Sequence, residues 1–136
     1  MNYKHAIGYT LIELMIVVAI VGILSSIAFG FYGDNVTASN RAEGRALLSQ
    51  TAASLEKCKS LYGAYNSNSC NVADDVSSES DYYEIDTTAS ISATTFTLTA
   101  TPVTGQPQVN DADCTSMTLT NTGVKGGGGA DSTVCW

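Results

Sequence analysis

The chain is poor in what side-chain catalysis needs. Its 136 residues hold a single histidine, His5, which stands among the first eight residues. The four cysteines, Cys58, Cys70, Cys114 and Cys135, are 12, 44 and 21 residues apart, with no Cys-x-x-Cys pair and no second histidine, so a zinc site has no ligand set. Positive charge is also scarce: six Lys and Arg stand against thirteen Asp and Glu, for a net charge of -7. Beyond residue 60, nine acids face Lys125 alone. Such a surface repels phosphate, which makes nucleic acid an unlikely partner for the acidic C-terminal part. Proline occurs twice, at Pro102 and Pro107, so none breaks a helix anywhere between Ile7 and Tyr65. The length suits one small domain and leaves no room for a second.

What the chain does have is an apolar run. Leu14 to Gly33 carries no charge, and only Ser25 and Ser26 interrupt it as polar side chains. At about 1.5 Å rise per residue, these twenty residues span roughly the 30 Å hydrocarbon core of a bilayer. Glu13 sits at its start, where a carboxylate at bilayer depth costs about 3 kcal/mol and calls for a partner or an interface. Before it, Met1 to Gly8 carries Lys4 and is too short for a secretory signal with its own apolar core. The cysteines form an even set confined to the part after the run, as expected of a small head in an oxidising compartment. Charge counting leaves topology open, because Lys4 competes with Arg41 and Arg45.

Past Gly33 helical periodicity resumes. Leu48, Ala52, Leu55, Cys58 and Tyr62 share one face, and Arg41, Glu43, Arg45, Gln50, Glu56 and Lys57 the other. One helix from about Tyr9 to about Leu61 is predicted, about 80 Å long, with Gly30, Gly33 and Gly44 as weak points. Tyr62 to Ser80 is rich in Asn, Ser, Gly and Asp and reads as a loop. Three strands follow: Tyr82 to Ile85, Thr95 to Thr101 with Phe96, Leu98 and Ala100 on one side, and Thr115 to Thr120 with Met117 and Leu119. The fold class is α+β, an antiparallel sheet whose apolar face is covered by the Leu48, Ala52, Leu55 stripe. Gly126 to Gly129 lacks the context of a phosphate loop and reads as a flexible or tight-turning segment. Asp74-Asp75 and Asp111 to Asp113 lack the spacing of a calcium loop and read as solvated carboxylates, so no metal and no cofactor is expected. Pairing each cysteine with its nearest neighbour gives Cys58 with Cys70 and Cys114 with Cys135, one of three connectivities. Each such loop would stabilise the head by about 3 kcal/mol.

The order of basic leader, Gly8, Tyr9-Thr10-Leu11-Ile12-Glu13 and apolar helix resembles the type IV pilin and pseudopilin superfamily. The run from Cys114 to Cys135-Trp136 resembles the disulfide-bounded end of its heads, most like PilE-type minor pilins. Tyr9 stands where Phe is usual, and Gly30 where a kinking Pro is usual. The resemblance implies a leader (1–8) cut after Gly8 by a prepilin peptidase, which then methylates Tyr9. It further implies a transmembrane and assembly helix (9–33), an amphipathic continuation (34–61) and a disulfide-stapled β head (62–136). Glu13 would neutralise the freed amine of a neighbouring subunit; pairing with its own chain's Tyr9 amine at i and i+4 is the alternative. Gly22, Ser26 and Gly30, each four apart, would let assembly helices approach closely.

On this reading the chain is a structural subunit and no enzyme. It would be an inner-membrane precursor with a periplasmic head, held by lipid, then packed by the assembly machinery with other pilin subunits into an extracellular pilus for adhesion, twitching or DNA uptake. A minor subunit is expected; a major pilin and a type II secretion pseudopilin are the alternatives. An anchored binding module that never polymerises would tolerate Glu13→Val, and an assembling subunit would not.

Overall fold

The computed structural model describes residues 9–70, 72, 75–87 and 90–136, with the side chains of residues 29–31 excepted. Gly8, Lys4, His5 and Asp74 lie outside the described residues. One α-helix, α1, runs Leu11–Tyr62. By compactness the chain divides into two units, Met1–Val36 and Thr37–Trp136. The first consists, where described, of the start of α1, and every side chain described there is exposed.

The second unit is an antiparallel meander of five strands in the order β1 Asp75–Ser77, β2 Tyr83–Asp86, β3 Thr97–Pro102, β4 Ser116–Thr120 and β5 Lys125–Gly128. Register follows side-chain alternation: Ile85 pairs with Ala100 and Ala100 with Met117, so the three share the covered face and all are fully buried. Leu47, Leu48 and Leu55 of α1 complete that core together with Tyr83, Phe96 and Leu98. The covering stripe therefore ends at Cys58, and Tyr62, expected on it, is 52% exposed. The helix stops there because Gly63 takes a φ of +83°, and its N–H closes on the Lys59 carbonyl. Gly44 is a packing position within the helix. A Cβ there would overlap Met117 Cε and stand 3.0 Å from Tyr83 Cγ, so the missing side chain lets the sheet approach α1.

Two strands were not expected. β1 lies in the 62–80 segment read as loop; at three residues it is too short for periodicity to show, and only pairing with β2 defines it. β5 contains Gly126, Gly127 and Gly128 of the four-glycine run read as flexible or turning. Their lack of side chains is a steric requirement. A Cβ on Gly127 would meet Cys135 Sγ at 2.8 Å and the Ser116 carbonyl at 2.9 Å, and one on Gly126 would meet Thr118 Oγ1 at 2.7 Å. The C-terminal residues pack over the strand instead, with the Trp136 indole donating to the Gly126 carbonyl at 2.7 Å. Cys114 is bonded to Cys135 and Cys58 to Cys70.

Candidate assembly site

The start of α1 is closed by a reciprocal pair that the sequence reading passed over. The Glu13 N–H donates to Thr10 Oγ1 at 3.3 Å, while the Thr10 N–H and hydroxyl donate back to Glu13 Oε2 at 3.2 and 3.3 Å. This is a capping box, Thr at the cap and Glu three residues on, which satisfies donors that the first helical turn leaves open. The spacing of Thr10 and Glu13, three residues apart before an apolar run, is the sequence signal of such a box. Glu13 thus has a partner in its own chain, Thr10, and Oε1 takes no part in these bonds. Tyr9 is 89% exposed beside it.

The surface that follows is uncovered. Ile12, Met15, Ile16, Ile20, Ile23 and Ile27 are all more than half exposed, and burying such side chains is worth about 1.5–3 kcal/mol each. A Cβ on Gly22 would meet nothing within 4 Å beyond the helix's own neighbouring backbone, so no packing described in this chain needs it small. Ser26 returns its hydroxyl to the Ile23 carbonyl at 2.7 Å, which satisfies it without solvent. Gly30 lies in α1 with its surroundings outside the described residues.

In the second unit Arg41, Arg45, Lys59 and Lys125 each engage another group. Arg41, expected on a solvated face, holds Asp111 in a bidentate pair at 2.6 and 2.7 Å, the two side chains being 12% and 4% exposed. The same carboxylate accepts from Gln108 Nε2 at 2.8 Å and from the Cys114 N–H at 3.3 Å, and Gln108 in turn accepts from Asn40. Asp111 is therefore a buried structural anion, not the solvated loop acid expected. The pattern hid it because its partner is 70 residues away. The hydrogen bonds that Arg41 donates to Asp111 hold that carboxyl below its ordinary value and raise the Arg41 guanidinium. Tyr83 lies behind this cluster with its hydroxyl buried and without a hydrogen bond of ordinary geometry, and desolvation pushes it up.

Arg45 reaches the Cys135 carbonyl at 3.4 Å, Lys59 lies 4.4 Å over the Tyr65 ring, and Lys125 lies 4.7 Å over the Trp136 ring. Tyr65 also donates to Glu56 at 2.7 Å, which raises its own hydroxyl. No group of three His, Cys, Asp or Glu among the described residues is placed to hold a metal.

Comparison with known proteins adds sequence and fold. Residues 4–29 match the prokaryotic N-terminal methylation motif. The type IV major fimbrial protein FimA of Dichelobacter nodosus is 58% identical over 40 residues, 29% of this chain and 25% of that protein, so the match spans a quarter of the relative's length. The non-core minor pilin PilV of Neisseria meningitidis superposes with a TM-score of 0.53 at 21% identity, over 72% of this chain and 92% of its own, and so shares the fold. A type IV pilin from Shewanella oneidensis aligns at 25% identity and a TM-score of 0.45, over 74% of this chain and 97% of its own. With residues 31–118 matching the family described as "Type IV minor pilin ComP, DNA uptake sequence receptor", the chain belongs to that family of type IV minor pilins.

Proposed function

We propose that this chain is a minor subunit of a type IV pilus, made as an inner-membrane precursor, cut after Gly8 by a prepilin peptidase, methylated on Tyr9 and packed through α1 into a filament. It works as a structural part and carries out no catalysis. The observation that carries the reading is the uncovered apolar surface of α1 beginning at a single capped acid. Lipid covers such a surface in the precursor; other helices must cover it once the subunit leaves the bilayer. Glu13 then faces helices rather than headgroups. A carboxylate with Oε1 outside the capping box can accept the Tyr9 amine of the next subunit, and an unpaired one in that setting would be costly. Gly22, Ser26 and Gly30 supply the close approach. The head is exported, on the periplasmic side before assembly and on the filament surface after it.

Of the uses such a filament has, DNA uptake is the one the family description names. The acidic balance of this head, nine acids to Lys125 beyond residue 60, weighs against direct phosphate binding by its sheet, and Arg41 is held by Asp111.

Mass spectrometry of the chain recovered from sheared surface filaments tests the reading. A mature terminus at methylated Tyr9 is expected. An intact Met1 terminus, or confinement to membranes in piliated cells, overturns it.

A further inference from the structure

We infer that the Cys58–Cys70 disulfide is a thiol-exchange site of the folded head, opened at Cys70 by the thiolate of an exported protein dithiol that docks on the depression beside Lys57. The inference goes beyond the filament reading and takes from it only the export of the head.

The two disulfides stand in opposite surroundings. Cys114 and Cys135 are both 0% exposed. β5 lies over that pair, since a Cβ on Gly127 would come within 2.8 Å of Cys135 Sγ, and the Trp136 indole is fastened to the Gly126 carbonyl at 2.7 Å. A thiolate has to touch a sulfur to exchange with it, and none reaches these while the sheet is intact. Cys58 is 5% exposed on α1, but Cys70, in the loop after the helix, is only partly buried. It borders two depressions, one of about 290 Å³ shared with Cys58 and one of about 270 Å³ beside Tyr65 and Asn68. Open space therefore adjoins this disulfide, where the other has a strand over it.

The larger depression has the charge and the surface that suit a thiolate carrier. Among the described residues that line it, Lys57 is the only charged one, in a chain of net charge -7. An anionic sulfur is drawn there, and the thiolate that leaves is stabilised there. At the rim Leu61 and Tyr62 are 64% and 52% exposed, an apolar surface on which a protein can rest.

The fold tolerates the opening. Tyr65 fastens the loop independently of the disulfide: its ring stands edge-on to Phe96 with centroids 4.9 Å apart, its hydroxyl donates to Glu56 at 2.7 Å, and its N–H donates to the Ala93 carbonyl at 3.2 Å. The five-stranded sheet and its Cys114–Cys135 bond do not involve Cys58 or Cys70. Reduction frees residues 66–70 and leaves the sheet in place.

The exchange is balanced. The carrier thiolate forms a bond to Cys70 Sγ, the Cys58–Cys70 bond breaks, and Cys58 leaves with the electron pair and takes a proton from water. The carrier's second thiol, once deprotonated, attacks the carrier's own sulfur in the mixed disulfide and releases Cys70. The carrier is oxidised to its disulfide as the head gains two thiols.

The test uses oxidised full-length chain in detergent and a reduced thioredoxin whose second active-site cysteine is replaced by serine, so that the mixed disulfide is held. Peptide mapping after alkylation should find thioredoxin on Cys70, an alkylated Cys58 and an intact Cys114–Cys135 bond, with far-ultraviolet circular dichroism unchanged. Lys57→Glu should slow adduct formation about fivefold, and about 0.5 M salt should bring the two rates within about twofold. Absence of an adduct, attack at Cys58, Cys114 or Cys135, an adduct that forms only as the dichroism is lost, or equal rates for Lys57→Glu and the parent at low salt each overturn the inference. None of these outcomes touches the filament reading.

Discussion

Replacing Asp111 with asparagine removes the charge at the centre of the polar cluster and keeps its shape. The carboxylate serves Arg41 twice, Gln108 and the Cys114 N–H. An amide can accept on one atom only and turns a donor towards the guanidinium. Breaking a buried pair costs about 3–5 kcal/mol; with Arg41 at 12% exposure able to recover some water, about 3 kcal/mol is expected. For a unit of this size that is a fall in melting temperature of roughly 12–24 °C. The pH dependence follows from the direction of the shift. Because the folded carboxyl is held below its unfolded value of about 3.9, its contribution is complete above that pH and is lost as pH falls through the folded value. Circular dichroism melts of full-length chain in detergent, disulfides intact, should show the gap between parent and variant wide at pH 7 and closing as the pH falls below the unfolded value. A variant melting within about 3 °C of the parent at pH 7, or a gap that stays open in acid, would refute the assignment.

Three further substitutions probe the packing. Tyr83→Phe removes a buried hydroxyl with no hydrogen bond of ordinary geometry and should leave the melt unchanged or raise it by up to about 1 kcal/mol; a clear loss would reveal a bond to Gln108. Gly44→Ala should destabilise by about 1–3 kcal/mol despite better helix propensity, because the new methyl meets Met117 and Tyr83; stabilisation in the same melts would contradict the close approach. Gly127→Ala should cost at least about 2 kcal/mol, since Cys135 Sγ and the Ser116 carbonyl occupy the space, and neutral behaviour would show that β5 is not held against its neighbours.

The elements with their own periodicity were readable in the sequence. The helix to Tyr62 and the alternation Phe96, Leu98, Ala100 both follow from local chemistry. What was not readable depends on partners distant in sequence. β1 exists by pairing with β2, and Lys125–Gly128 reads as loop because glycine weakens strands unless, as at Gly127, something must sit against the backbone. Arg41 looks like a surface residue beside Glu43 until Asp111 is brought to it, and no spacing rule reaches 70 residues. At the assembly end both the charge of Glu13 and its bond to Thr10 are local, since the two residues lie within one turn.

That bond makes Glu13→Gln the most direct test of the account. Glutamine serves the third position of a capping box as glutamate does, so the helix start keeps its bonds with Thr10 and only the charge is lost. With this variant as the sole copy, the amount of the chain in sheared filaments relative to membranes is the measurement. The account predicts normal insertion, Gly8 cleavage and head disulfides with a marked loss from filaments; incorporation at the parental level would contradict docking by the Glu13 charge.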